Sequence, residues 1–155
     1  LVVGSMASLL ELADGEQLEP LSLEQQFGGG GLVDAYCREG FTATTSALQV
    51  LAAAEQGEPV ANRIVGSAAH AIGVRLGLVI DLLDPAMVVV GGGIAAAAGP
   101  FWPALIAATR HHIWSTDTRL LAIERAAFGA RSGVVGAAIV AADRLAARRS
   151  LLPRG

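Results

Sequence analysis

Three consecutive glycines, Gly91, Gly92 and Gly93, directly follow the apolar run Met87-Val88-Val89-Val90. A turn without Cβ atoms lets backbone N–H groups come close to a phosphate or nucleotide, so this is the pattern in the sequence best suited to ligand chemistry. The residues formally match the G-x-G-x-x-A dinucleotide fingerprint at Gly91, Gly93 and Ala96. Two features weigh against that reading. Gly99-Pro100 and Pro103 delay the next helix by about eight residues, and no acid follows at the usual distance, the next after Asp84 being Asp117. A tight turn that binds nothing is the other reading of the same residues.

The remaining chemistry-bearing residues are sparse. His111 and His112 are adjacent, about 100° apart on a helix, and cannot share a metal by themselves. His70 reads as a packing or helix-contact residue, and no Ser-His-Asp arrangement can be singled out. The acids between 11 and 24 (Glu11, Asp14, Glu16, Glu19, Glu24) form a solvated loop or supply one ligand for a polar substrate. All 11 basic residues are arginine, which excludes a Walker phosphate loop, a Schiff-base lysine and a pyridoxal site, each of which needs an ammonium group. The single Cys37 excludes a disulfide framework and a cysteine-based zinc site and is consistent with the cytoplasm. A net charge of −3 argues against a nucleic-acid surface.

The elements that must position these residues belong to one domain of 155 residues, 53% hydrophobic and 16% charged. Residues 1–22 read as a short strand or two and a loop, and residues 23–38 as helix around the glycine run at 28–31. A second helix spans 45–56 and stops at Gly57. After Glu58-Pro59 a long helix runs to Leu83, before Asp84-Pro85. Its apolar face is Val65, Ala69, Ile72, Leu76, Val79 and Leu83. A neighbouring stripe of Gly66, His70, Gly73 and Gly77 calls for close approach of another backbone, because each interior glycine costs about 0.5–1 kcal/mol relative to alanine.

Residues 87–90 form a short strand expected to be buried on both faces. A helix over 101–112, a strand over 120–125, a last helix over 132–148 and a frayed tail at 150–155 complete the chain. This order gives an α/β fold. The 25 residues from 85 to 109 carry no charge, yet their glycines and prolines break any membrane span. Leu1 is no initiator methionine and no signal peptide follows it, so the chain reads as cut from something longer.

The run from 59 to 138 resembles the ROK family of bacterial sugar kinases and sugar-responsive repressors. The matching words are Leu76-Gly77, Asp84-Pro85, Val88 to Gly93, Phe128-Gly129, Gly133 and Gly136-Ala137-Ala138, with Leu23-Glu24 extending the likeness towards the N-terminus. The resemblance implies the C-terminal lobe of an actin-like ATPase (ribonuclease H-like) fold, incomplete in this chain, whose intact form closes over ATP, Mg²⁺ and a hexose. It implies that Gly91, Gly92 and Gly93 contact the nucleotide, that Glu24 hydrogen-bonds sugar hydroxyls, and that the intact protein is a homodimer. The family's cysteine zinc word is absent, because residues 16–22 hold no cysteine; no zinc site is expected. The upstream Gly-Glu-x-Gly-His sugar motif is unrecognisable, with Gly4 to Ser8 standing where it belongs. The phosphate loop and the catalytic aspartate lie in the lobe not present, so no catalytic residue is assigned.

Three readings stay open. The chain is half of a sugar kinase, inactive alone; or the effector-binding half of a sugar-sensing transcriptional regulator; or a truncated product without function.

Overall fold

The structure is a computed structural model that describes residues 22–150. The strands and loop expected over 1–21, and the frayed tail from 151 onward, lie outside the described residues. The elements run α1 (Leu23–Phe27), α2 (Gly29–Arg38), α3 (Ala47–Glu55), α4 (Pro59–Leu83), β1 (Met87–Val90), α5 (Gly93–Ala96), α6 (Phe101–His112), β2 (Ala122–Arg125) and α7 (Ser132–Ser150). The α/β expectation holds.

The long helix α4 organises the rest. Glu58 caps it, its carboxylate accepting from the backbone N–H groups of Val60 at 3.0 Å and Ala61 at 2.6 Å. Pro59 occupies the first turn, where its missing N–H costs nothing. The helix ends at Asp84 in the left-handed conformation (φ 42°), and Pro85 cannot continue it. Its N-terminal half is covered by α2 and α3, giving a core of Leu32, Tyr36, Val50, Leu51, Ile64 and Val65, joined by Phe101 and Leu105 of α6. Its C-terminal half packs Leu76 and Ile80 with Ile113 against Val88, Val90 and Ile123 of the sheet.

Because α4 is covered from two sides, its buried surface is wider than one stripe and includes Ala61, Ala68, Gly73 and Gly77. Leu83, expected on the buried face, is 61% exposed. The helix is long and apolar enough to cross a membrane by length and composition, with 44% of that window buried inside the fold.

The glycine stripe on α4 has the purpose expected at two of its three glycines. A Cβ on Gly73 would lie 2.9 Å from the Leu105 carbonyl oxygen, and one on Gly77 would lie 3.0 Å from that of Thr109. These glycines set how closely α4 and α6 cross. Gly66 departs from the expectation, because a Cβ there would meet nothing within 4 Å. His70 is exposed and meets the ring of His112 edge-on at 5.6 Å.

Strands β1 and β2 pair in parallel, Met87 opposite Ala122 and Val90 opposite Arg125. Burial of β1 on both faces does not hold. Val88 and Val90 face α4, whereas Met87 and Val89 are 50% and 58% exposed, because no described element covers that side of the two-stranded sheet.

Among the described residues a titratable pair lies beside the core, Tyr36 buried and Glu58 half-buried. The Tyr36 ring stacks on Phe41 at 4.1 Å, and its hydroxyl is pushed above the usual range by burial, then by the charge of Glu58 and a hydrogen bond with it. For Glu58 burial pulls the other way. The two backbone N–H bonds, Tyr36 and the Arg63 charge outweigh it and hold the carboxyl below its ordinary value.

Candidate functional site

The glycine turn forms where β1 leaves the sheet. The Ala126 N–H donates to the Val90 carbonyl at 2.9 Å, so the pairing of the two strands reaches the turn itself. Gly92 has φ 110° and ψ 165°, a conformation that L side chains rarely adopt. A Cβ on Gly92 or Gly93 would meet nothing within 4 Å, so the turn presents bare backbone to open space.

The sequence alone delays the helix after this turn, and the structure corrects that expectation. The single turn of α5 begins at Gly93 itself, and only the longer α6 waits until Phe101. Proline at 100 and 103 falls at the start of α6, where it is compatible with a helix, and so says nothing about residues 93–96.

Glu24 is positioned by α1. Ser22 caps that helix reciprocally: its hydroxyl accepts from the Gln25 N–H at 3.2 Å, and its own N–H donates to the Gln25 side-chain oxygen at 2.8 Å. The helix stops at Gly28, whose N–H donates to the Glu24 carbonyl at 2.9 Å. A Cβ on Gly28 would collide with that same carbonyl, so the tight joint between α1 and α2 requires glycine. Glu24 is left exposed on α1.

These two sites, far apart in the sequence, line one cavity of about 560 Å³. The lining takes Glu24, Gly28 and Gly29 from α1 and the start of α2, and Gly91, Gly92 and Gly93 from the turn after β1. The rest of the lining is largely apolar, and no spacing in the sequence groups its residues: Leu23 and Phe27 of α1, Leu48 and Leu51 of α3, and Ile72 of α4, with Ile94 beside the turn. One signal for it is present. Val50, Leu51 and Ala54 are the buried residues of α3, whereas Leu48 is 66% exposed on the open side of the helix. An apolar residue left there has no part in the core.

The arrangement suits a ligand with a flat apolar body and a polar end. The aliphatic and aromatic wall removes the body from water, at roughly 25 cal/mol per Å² of apolar area buried. The glycine turn offers backbone groups, and among the described residues Glu24 is the one ionisable side chain on the lining. Among the described residues no group of three or more His, Cys, Asp or Glu is placed to hold a metal. His111 and His112 do pack edge-on at 5.0 Å, at the end of α6, but neither lines the cavity.

The fold is shared with solved sugar kinases. A ROK hexokinase from Thermus thermophilus is 28% identical with a TM-score of 0.68, over 88% of this chain and 47% of its own. A crystal structure described as a putative sugar kinase from Cytophaga hutchinsonii is 27% identical with a TM-score of 0.69, over 89% of this chain and 46% of its own. A ROK family glucokinase from Streptomyces griseus, solved with glucose and AMPPNP, shares the fold with a TM-score of 0.68 at 22% identity, over 79% of this chain and 45% of its own. The chain therefore spans about half the length of these structures. No curated protein matches the sequence. The sequence model of the ROK family matches residues 22–144, and the chain belongs to that family.

Proposed function

We propose that this chain is the ATP-holding half, the C-terminal lobe, of a ROK sugar kinase with the actin-like ATPase fold, and that it does not catalyse by itself. The parent would move the γ-phosphoryl group of ATP to a hexose hydroxyl in the cytoplasm, as a homodimer. The observation that carries this reading is the shared cavity: a bare glycine turn at Gly91, Gly92 and Gly93 facing an apolar slot edged by Glu24.

In that cavity the apolar wall of Leu23, Phe27, Leu48 and Ile72 would take the heterocycle of ATP. The backbone of the glycine turn would take the ribose and lead towards the phosphates. Glu24 can only accept hydrogen bonds when ionised, so it would bind hydroxyl groups, those of the hexose in this reading. ATP supplies the transferred phosphoryl group; the chain's own residues bind and orient it. The described residues offer no cluster for Mg²⁺, and no step through the metal is derived. Phosphoryl transfer needs nucleotide, metal and nucleophile positioned together, and one half of the fold cannot supply all three.

Calorimetry of the chain with adenosine, ATP–Mg²⁺ and a panel of hexoses tests the proposal. Heat is expected with adenosine and ATP, and a coupled ADP-release assay is expected to be blank. No heat with any nucleotide would sink it. A response to a hexose alone, with none to nucleotides, would point to the sugar-sensing regulator instead, and sugar-dependent ADP release would overturn the claim of inactivity.

A further inference from the structure

All 3 histidines of the chain meet at one place. His70 lies on α4, and His111 and His112 end α6, yet the ring centres of His70 and His112 are 5.6 Å apart and those of His111 and His112 are 5.0 Å apart. His111 and His112 are neighbours in sequence, so their contact says little about the fold. His70 and His112 are brought together only by the crossing of α4 and α6. That crossing is close at a glycine, because a Cβ on Gly77 would lie 3.1 Å from the Cβ of His112. The pair stands apart from the cavity, to which these two helices contribute Ile72, Phe101 and Leu105.

His112 is prepared as a metal ligand. Its Nδ1 lies 2.8 Å from the carbonyl oxygen of Ala108. A carbonyl oxygen only accepts, so Nδ1 carries the proton, and in the neutral ring Nε2 keeps its lone pair. Metal-bound histidines are held in this way: one ring nitrogen donates to a backbone carbonyl, which fixes the tautomer and the ring, and the other binds the ion. The separation of the two rings suits a shared ion. An imidazole nitrogen lies about 2.0–2.1 Å from zinc, which puts the ring centre about 3.2 Å away and two ring centres about 5.2 Å apart at a tetrahedral angle. From the observed 5.6 Å this asks for a closure of about 0.4 Å, a small torsional change in a side chain.

We propose that His70 and His112 form a site for one divalent transition ion, copper, nickel or zinc, which ties α4 to α6. Imidazole suits these ions, whereas Mg²⁺ and Ca²⁺ take oxygen ligands. Among the described residues no group of three His, Cys, Asp or Glu could hold a metal, so His111 is not a third ligand and water completes the coordination. An ion held by two side chains exchanges with solvent, unlike a structural zinc held by four. These residues are far in sequence from residues 16–22, where the family's cysteine zinc word belongs. The site does not rest on what the cavity binds.

The test is calorimetric titration of the untagged full chain with Cu²⁺, Ni²⁺, Zn²⁺ and Mg²⁺ in turn, near neutral pH. One equivalent of Cu²⁺ should bind with a micromolar dissociation constant and raise the melting temperature, Ni²⁺ and Zn²⁺ should bind more weakly, and Mg²⁺ should do neither. His70 is exposed, so His70→Ala should melt like the parent without metal, and it should bind Cu²⁺ about tenfold or more weakly. His112→Gln should lose binding likewise, while His111→Ala and Cys37→Ser should bind as the parent does. No binding of the three transition ions by the unaltered chain, or equal binding by His70→Ala and the parent, would overturn the proposal. Loss of binding in His111→Ala or Cys37→Ser would overturn it as well, because the ion would then sit on other ligands.

Discussion

Gly73 on α4 and Leu105 on α6 meet backbone to backbone: a Cβ on Gly73 would lie 2.9 Å from the Leu105 carbonyl oxygen and 2.7 Å from the Cβ of Ala108. The crossing of the two helices that build the core therefore rests on a side chain that is not there. Gly73→Ala forces α6 outward, and overpacking of this kind costs about 1–3 kcal/mol. Gly66→Ala, on the same helix but in open space, should instead stabilise by about 0.5–1 kcal/mol through helix propensity and a smaller unfolded ensemble. Urea unfolding of the two variants should give shifts of opposite sign. Shifts of the same sign would mean that the closeness of the α4–α6 crossing does not depend on glycine.

Glu58 links the start of α4 to Tyr36, and its carboxyl lies below the ordinary range in the folded chain. A carboxylate with a depressed pKa stabilises the fold above its unfolded value and ceases to do so as pH falls through the folded one. Glu58→Gln should therefore lower the melting temperature at pH 7, and the gap between variant and parent should close below about pH 4. A gap that is constant from pH 7 to pH 3 would mean that the charge on Glu58 plays no part.

Much of this architecture is legible in the sequence, and its illegible parts share a cause. The bounds of α4, β1 and α6 follow from Pro59, Asp84-Pro85, the run of valines and Phe101, where local chemistry decides. The start of α5 at Gly93 escapes a local reading because the prolines further on dominate it, although a single helical turn fits between them and the strand. The double burial expected of Met87 and Val89 fails because an apolar strand reports how a fold covers it only when the covering layer is present. The cavity wall depends on four separate elements meeting, and of its residues only Leu48 is conspicuous in its own helix. That Glu24 and Gly91 to Gly93 share one cavity is a fact of tertiary structure which no spacing of residues contains.

Gly92 is the position at which the turn tolerates least. With φ at 110° the backbone sits where a side chain brings strain of order 1–3 kcal/mol, even though there is room for it. Gly92→Ala should lower the melting temperature and weaken adenosine binding together. Gly93→Ala, at the first residue of α5 with ordinary helical backbone and open space, should leave stability within about 0.5 kcal/mol of the parent. Equal destabilisation by the two would show that Cβ volume and not backbone conformation is limiting.

Leu48 separates ligand binding from folding. It is 66% exposed, outside the core formed by Val50, Leu51 and Ala54, and yet it lines the cavity. Replacing it with glutamate removes little buried surface, so stability should stay within about 0.5 kcal/mol. In the proposed nucleotide complex the same change would remove an apolar wall and put a charge against the heterocycle. Losing the burial of one leucine side chain is worth about 1.5 kcal/mol, which is roughly tenfold in affinity. Adenosine titrated into Leu48→Glu should therefore bind about ten times more weakly, with an unchanged melting curve in the absence of ligand. An affinity equal to that of the parent would place the nucleoside elsewhere on the chain and leave the apolar slot without an occupant.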